Sequence, residues 1–219
     1  MTDWPTNRAD LIAEQERLAA ADPPPWRPSG DANVGGCFVC FPRGLTGVGA
    51  RGDPAWAAAA LDDEVAVHAG HATAPYEPGL LALREGPLLE APVRALPRLP
   101  DVLLVNATAR DHPRRAGLAL HLGALLGIAT IGVTHRPLLA HGEWPADGRG
   151  ADAPLLLEGD VVGAWLRTRR GRRPLAVDPG WGMDLAGSLQ IVVTACRSRT
   201  PEPLRRARTA ARRARAMAY

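Results

Sequence analysis

The chain has 219 residues, 46% of them hydrophobic and 22% charged, which excludes wholesale disorder and suits one domain with a sizeable core. All 26 basic residues are arginine, so no lysine amine can act as base, Schiff-base former or phosphate clamp, although coding bias in a GC-rich genome accounts for the composition equally well. No apolar run reaches the roughly 18 residues that span a bilayer, no basic-then-apolar signal opens the chain, and Cys37, Cys40 and Cys196 fit reduced thiols, so a cytoplasmic protein is expected.

Thr6 or Asn7 can cap a helix from about Arg8 to Ala20, which Pro23-Pro24-Pro25 stops. Val34 to Phe41 reads as a first buried strand, with Ala55 to Leu61 and Glu64 to His71 as meander partners. Pro75-Tyr76-Glu77-Pro78-Gly79 is a rigid turn feeding a helix with Arg84 and Glu85; a second helix, Gly86 to Leu96, leads into the strand Val102 to Val105. After Asn106 comes a polar loop, then an amphipathic helix from Arg115 to Leu126 and a short strand from Thr130 to Thr134. Residues 137–153 read as a surface loop, and Asp160 to Arg167 with Arg173 to Val177 as a hairpin. Leu185 to Cys196 and Glu202 to Met217 are helices. Residues 197–219 hold eight arginines against one glutamate, a basic helical tail that can touch nucleic acid or stand solvated. The alternation of strands and helices predicts an α/β fold with a mixed sheet.

Asn106 marks the expected site, because residues at the end of a central strand point into whatever the fold builds there. An aspartate at that position would ligate a metal, and an asparagine is a far weaker ligand. Cys37 and Cys40 form a C-x-x-C, but on a strand their side chains face opposite ways and no second pair accompanies them, which favours core packing. His68, His71, His121 and His141 show no metal-ligand spacing.

Five stretches in order resemble the endonuclease V family, metal-dependent nucleases that cut near deaminated bases. They are Val34–Phe41, PYEPGLLALRE at 75–85, PDVLLVNATARDHPRRAGLALHLG at 100–123, TIGVTHRPL at 130–138, and Gly159 through RTPEPLRRA at 199–207. The resemblance implies a ribonuclease H-like fold, a central mixed β-sheet flanked by helices. It also implies a metal-binding Asp where Phe38 stands, a second acid at Glu85, a strand-end Asp where Asn106 stands and a lysine where His135 stands. His112 is kept, and a Pro-Gly-His motif has become Pro179-Gly180-Trp181.

With one family acid left, a divalent ion is poorly held, since Mg²⁺ gives up its waters reluctantly. The expectation is therefore a metal-independent enzyme, with no cofactor, acting on a small organic molecule. Glu85 would be the acid/base, its pKa raised by aromatic walls, His112 or His135 its helper and Asn106 a hydrogen-bond donor, while Phe38 and Trp181 form the walls. A bland alternative has Phe38 and Trp181 filling the vacated site and Glu85 paired with an arginine. A second expectation is a non-cleaving nucleic-acid-binding protein that uses Tyr76, the family's duplex wedge, with Arg114, Arg115 and the tail. The Tyr76 turn also serves simply to aim the Arg84–Glu85 helix, and the arginines can instead pair with neighbouring acids. A third expectation is residual nuclease activity, for which Asp111, Asp178 and Asp184 are the acids available to rebuild a metal site. Ala107 and Ala109 are expected to narrow the slot for a flipped base.

Overall fold

A computed structural model describes residues 3–21, 23–27 and 32–218. Helix α1 (Arg8–Ala19) starts at Asn7, whose side chain accepts a hydrogen bond from the Asp10 amide at 3.0 Å, so the polar residue beside Thr6 is the cap. Strands β1 (Val34–Cys40), β2 (Pro54–Leu61) and β3 (Glu64–His71) form the antiparallel meander the alternation predicts. Strands β4 (Val102–Val105) and β5 (Ala129–Thr134) extend it in parallel from β1. Antiparallel β8 (Leu175–Pro179), β7 (Asp160–Leu166) and β6 (Asp152–Leu157) complete eight strands in the order β3-β2-β1-β4-β5-β8-β7-β6. Strand β6 falls partly inside the stretch read as loop; its DAPLLL sequence pairs with β7 through a turn at Glu158-Gly159.

Helix α2 spans Leu81–Arg94 as one element, where two were expected, and it contains Pro87 and Pro92. A proline has no N–H for the carbonyl four residues back, which is why the sequence argues for a break. The carbonyl that Pro87 leaves free is that of Leu83, and the Thr73 hydroxyl donates to it, so the helix continues. Helix α3 (Leu118–Leu126) begins later than expected, because Arg115 has a φ of 55° and cannot be helical there.

Helices α1, α2 and α3 (Leu118–Leu126) cover one face of the sheet, with Leu11, Leu18, Leu89, Val93 and Leu120 packed against Leu103 and Val105. Helices α4 (Leu185–Thr194) and α5 (Glu202–Met217) cover the other, where Val192 and Leu204 meet Val102 and Leu104. Strand β4 is thus buried on both sides, as its unbroken apolar run requires. The alanine-rich β2 fits the same logic: Ala57 packs near Leu88 of α2 and Ala58 near Ala211 of α5, so small side chains let helices approach on both sides.

The tail is therefore not a solvated end. Helix α5 buries Leu204, Ala207 and Ala211 against the sheet and turns its arginines outward or along the rim of β1. Among the described residues, no helix is long and apolar enough to cross a membrane.

Candidate nucleic-acid site at the strand ends

Strands β1, β4 and β5 are parallel, so their C-terminal ends open on one side of the sheet. Asn106 stands there directly after β4, and its Nδ2 donates to the Val133 carbonyl of β5 at 3.1 Å. It separates two recesses. The larger, about 230 Å³, is walled by Tyr76, Gly79, Ala107, Thr108, His112 and Leu138. The smaller, about 20 Å³, is lined by Phe38, Val133, His135, Thr200, Leu204 and Arg208.

Two buried carboxylates hold the walls of the larger recess. Asp178 on β8 accepts from the amides of Ala109 (2.6 Å), Arg110 (2.8 Å) and Asp111 (2.9 Å), which folds the loop after β4 over the sheet. Asp111 in turn accepts from the amides of Leu138, Leu139 (2.8 Å) and Ala140 (2.8 Å), drawing the loop after β5 alongside. Burial pushes the Asp178 pKa up to about 7, against the pull of those three N–H groups. Asp184 caps α4 through the Gly187 amide and pairs with Arg27. The three aspartates considered for a rebuilt metal site are therefore engaged elsewhere. Asp111 braces backbone rather than facing a ligand.

His112 is buried, and burial lowers its pKa to about 4. Its Nδ1 accepts from the Arg114 amide at 3.2 Å, so Nε2 carries the proton and donates to the Gly79 carbonyl at 3.0 Å. Both ring nitrogens are occupied, and His112 is a neutral tie to the Tyr76 turn rather than a proton carrier. Arg114 joins the same tie, donating to the Gly79 carbonyl (2.8 Å) and to Gln15 Oε1 (2.6 Å). Gly79 has a φ of 77°, a conformation L side chains rarely adopt, which explains a glycine at this point. Arg115 donates to the Leu157 carbonyl at 2.9 Å and pairs with Glu158 and Asp160. Of the two expectations for these arginines, the contacts with neighbouring groups are the ones present. Tyr76 is 41% exposed at the mouth of the recess.

Glu85 lines neither recess. Its neighbour Arg84 turns away to Asp53 (2.7 Å) and to the Ala50 and Ala74 carbonyls, with its guanidinium 4.3 Å from the Phe41 ring centroid. Among the described residues Glu85 has no ion pair or hydrogen bond, and desolvation raises its pKa to about 7, with Arg84 pulling only weakly the other way. A carboxyl whose folded pKa lies above its unfolded value binds more protons folded, so its contribution to stability is lost as pH rises from about 4.5 to about 7. Glu85→Gln is expected to raise Tm at pH 8 by roughly 2–6 °C, on the order of 1–2 kcal/mol after allowing for partial solvation, and to change little at pH 4.5. Thermal unfolding at the two pH values checks this.

Trp181 lies at the other end of the sheet. The Thr130 amide donates to its carbonyl at 3.0 Å and its own amide to Thr130 Oγ1, placing it beside the start of β5, far from Asn106. It is no wall of the site, because β8 runs antiparallel to β5 and carries residues 179–181 away from the strand ends. Ala109 is fully buried in the core, so of the two alanines only Ala107 meets the larger recess. Arg208 escaped the sequence reading. Its signal was the helical spacing of Leu204, Ala207 and Ala211, which fixes the buried face and leaves Arg208 at its border.

The endonuclease V family model matches residues 57–209. The chain belongs to the endonuclease V family. An endonuclease V from Streptomyces avermitilis is 37% identical over 224 residues, covering 96% of this chain and 93% of that one. The match to an endonuclease V from Azotobacter vinelandii is 43% identical over 143 residues and covers 64% of each chain. In structure, the Streptomyces avermitilis endonuclease V superposes with a TM-score of 0.85 at 35% identity, over 98% of this chain and 96% of that one. The fold is thus the ribonuclease H-like one that the resemblance implied. A Ciona intestinalis endonuclease V, in complex with a 23mer DNA containing an inosine followed by a ribo-adenosine, shares the fold at 22% identity, with a TM-score of 0.76 over 96% of this chain and 98% of that one.

These likenesses overturn the expectation of an enzyme turned to a small organic substrate. Identity to endonuclease V runs across nearly the whole chain, and the recess that such an enzyme would need, closed and containing Glu85, is not what the strand ends form.

Proposed function

We propose that this chain binds nucleic acid at deaminated bases, as an endonuclease V-family protein that holds an inosine-containing strand across the ends of β1, β4 and β5. The observation that carries the reading is the larger recess, which exposed Tyr76 lines together with Gly79, Ala107, Thr108 and His112. At about 230 Å³ it is smaller than the roughly 300–1,000 Å³ of drug-sized pockets and suits one planar ring system turned out of a strand. An aromatic at the mouth offers a stacking surface worth roughly 1–3 kcal/mol per base. The Ciona intestinalis relative, which has inosine-containing DNA bound, supports the same class of ligand.

The family's chemistry calls for a divalent cation, and the residues at that place do not fit one. Phe38 offers no donor, the Asn106 amide is turned to the Val133 carbonyl, and Arg208 brings a positive charge into the recess. Among the described residues no group of three or more His, Cys, Asp or Glu side chains is placed to hold a metal. Cutting is accordingly expected to be weak beside binding. A second reading, residual metal-dependent cutting of inosine-containing strands, is favoured by 37% identity to an endonuclease V across almost the whole chain and by the retained Glu85.

One experiment separates them. Binding to matched oligonucleotides, DNA and RNA, with inosine or adenine at one position should favour inosine by at least about tenfold, and Tyr76→Ala should lose roughly tenfold on the inosine strand, about one stacked base. Equal affinity for the two strands would remove the proposal. Cutting of the inosine strand with Mg²⁺ or Mn²⁺, abolished by Glu85→Ala, would establish the second reading instead.

A further inference from the structure

Helix α5, which carries Arg208 and Arg212, is pressed onto β1 at one point. A Cβ at Gly36 would lie 2.6 Å from the Leu204 nitrogen and 2.7 Å from the Pro203 carbonyl carbon, so only glycine lets the start of α5 settle there. That contact fixes the register of the next turns. Arg208, one turn after Leu204, reaches the small recess beside Phe38, Asn106 and His135. Arg212, a turn further, lies with its guanidinium carbon 5.7 Å from the Phe38 ring centroid. Arg199 is anchored by donating to the Arg173 and Pro174 carbonyls at 2.8 and 3.2 Å, and burial, then the charges of Arg199 and Arg208, lower the His135 pKa.

The electrostatic balance is one-sided. Arg205 is paired with Glu202, but among the described residues Arg199, Arg208 and Arg212 have no carboxylate within salt-bridge distance. Arg208 is half-buried, and both burial and the neighbouring Arg212 weaken its hold on its proton. A partly desolvated cation with no partner costs free energy that an anion recovers, and the planar guanidinium fork matches phosphate oxygens. The recess, at about 20 Å³, has room for about one water-sized group, which suits a single phosphoryl oxygen and excludes a base.

The geometry points to a phosphate subsite in which Arg208, supported by Arg199 and Arg212, grips one phosphodiester of the bound strand beside Asn106, a guanidinium standing where the family's fold would otherwise call for a cation. The inference rests on the nucleic-acid reading for the identity of the ligand, but the anion site itself can be tested without it.

The test uses fluorescence anisotropy with the full chain and a labelled inosine-containing single strand. Arg208→Ala should weaken binding about 10–100-fold and make the slope of log K against log salt shallower by about 0.7, one phosphate contact on a single strand. Arg208→Lys should restore the slope but not the full affinity. Strands carrying one uncharged methylphosphonate at each linkage near the inosine then locate the contact: a single linkage should cost the wild type about tenfold and cost Arg208→Ala nothing. Exposed Arg213→Ala, on the same helix, should keep that linkage penalty. An unchanged slope in Arg208→Ala, or equal methylphosphonate penalties in both proteins, overturns the subsite. Should the wild type bind no oligonucleotide, the nucleic-acid reading falls on its own. The subsite is then decided with inorganic phosphate against chloride at equal ionic strength: a Tm rise of about 2–4 °C in wild type, absent in Arg208→Ala, upholds it, and no difference overturns it.

Discussion

A triple variant, Phe38→Asp with Asn106→Asp and Arg208→Ala, is expected to acquire Mn²⁺-dependent cutting of inosine-containing strands at least about 100-fold above the parent chain. The reasoning is electrostatic. The parent places an aromatic ring, an amide and a guanidinium around the small recess, a set with no anionic oxygen among them. Two carboxylates from neighbouring parallel strands would supply the hard oxygen donors that Mg²⁺ and Mn²⁺ need, and removing Arg208 clears the competing charge. Metal assistance is worth several kcal/mol in phosphoester hydrolysis, so a gain of two or more powers of ten is the natural scale. The readout is end-labelled oligonucleotide cleavage with and without Mn²⁺, alongside Mn²⁺ titration by calorimetry. A triple variant that binds Mn²⁺ but cuts no better would show that Glu85, which lines neither recess, is too far removed to complete the centre.

Asp178→Asn is expected to cost about 2–4 kcal/mol, lowering Tm by roughly 5–15 °C. The buried carboxylate takes three backbone N–H groups with two oxygens, and an amide there would direct its own N–H toward donors. The loss should be local first. Amides of Ala109, Arg110 and Asp111 should exchange with solvent much faster, followed by Leu138 to Ala140, which hang from Asp111. Because that loop walls the larger recess, affinity for the inosine strand should fall with it. Normal protection at these amides in the variant would mean that the loop is held by something other than Asp178.

Periodicity carried most of the fold. The alternation in β3, the apolar runs of β2 and β4 and the spacing in α5 each identify an element because one face, or both, must be buried. The errors have definite causes. Two helices were expected where one runs through Pro87, because the Thr73 hydroxyl satisfies the Leu83 carbonyl that the proline leaves free. Asp152 and Ala153 fell at the end of a stretch read as loop for its Gly, Pro, Ala and Asp content, yet pairing with β7 makes them the start of a strand.

The site was legible in part. Asn106 marks the strand end directly, and Tyr76 stands at the recess mouth. Trp181 was placed by motif position, and only the antiparallel run of β8 shows that this position lies at the wrong end of the sheet. Arg208 lay among eight arginines in the last stretch of sequence; the spacing of Leu204, Ala207 and Ala211 put it at the border of the buried face, but which recess it reaches depends on the Gly36 contact that sets the register of the helix. Asp178 and Asp111 read as spare acids, since a sequence gives no view of the backbone amides that engage them.

The docking of α5 across β1 has a consequence for how the chain matures. The outer face of β1 emerges from the ribosome early, carrying Phe38 and Cys40, while the helix that covers it follows only from Glu202 onward. Until translation has passed residue 217 that strand has no lid, so nascent chains should depend on a chaperone or a tethering tunnel to stay apart, and C-terminal nonsense mutations should yield aggregates rather than a smaller working protein.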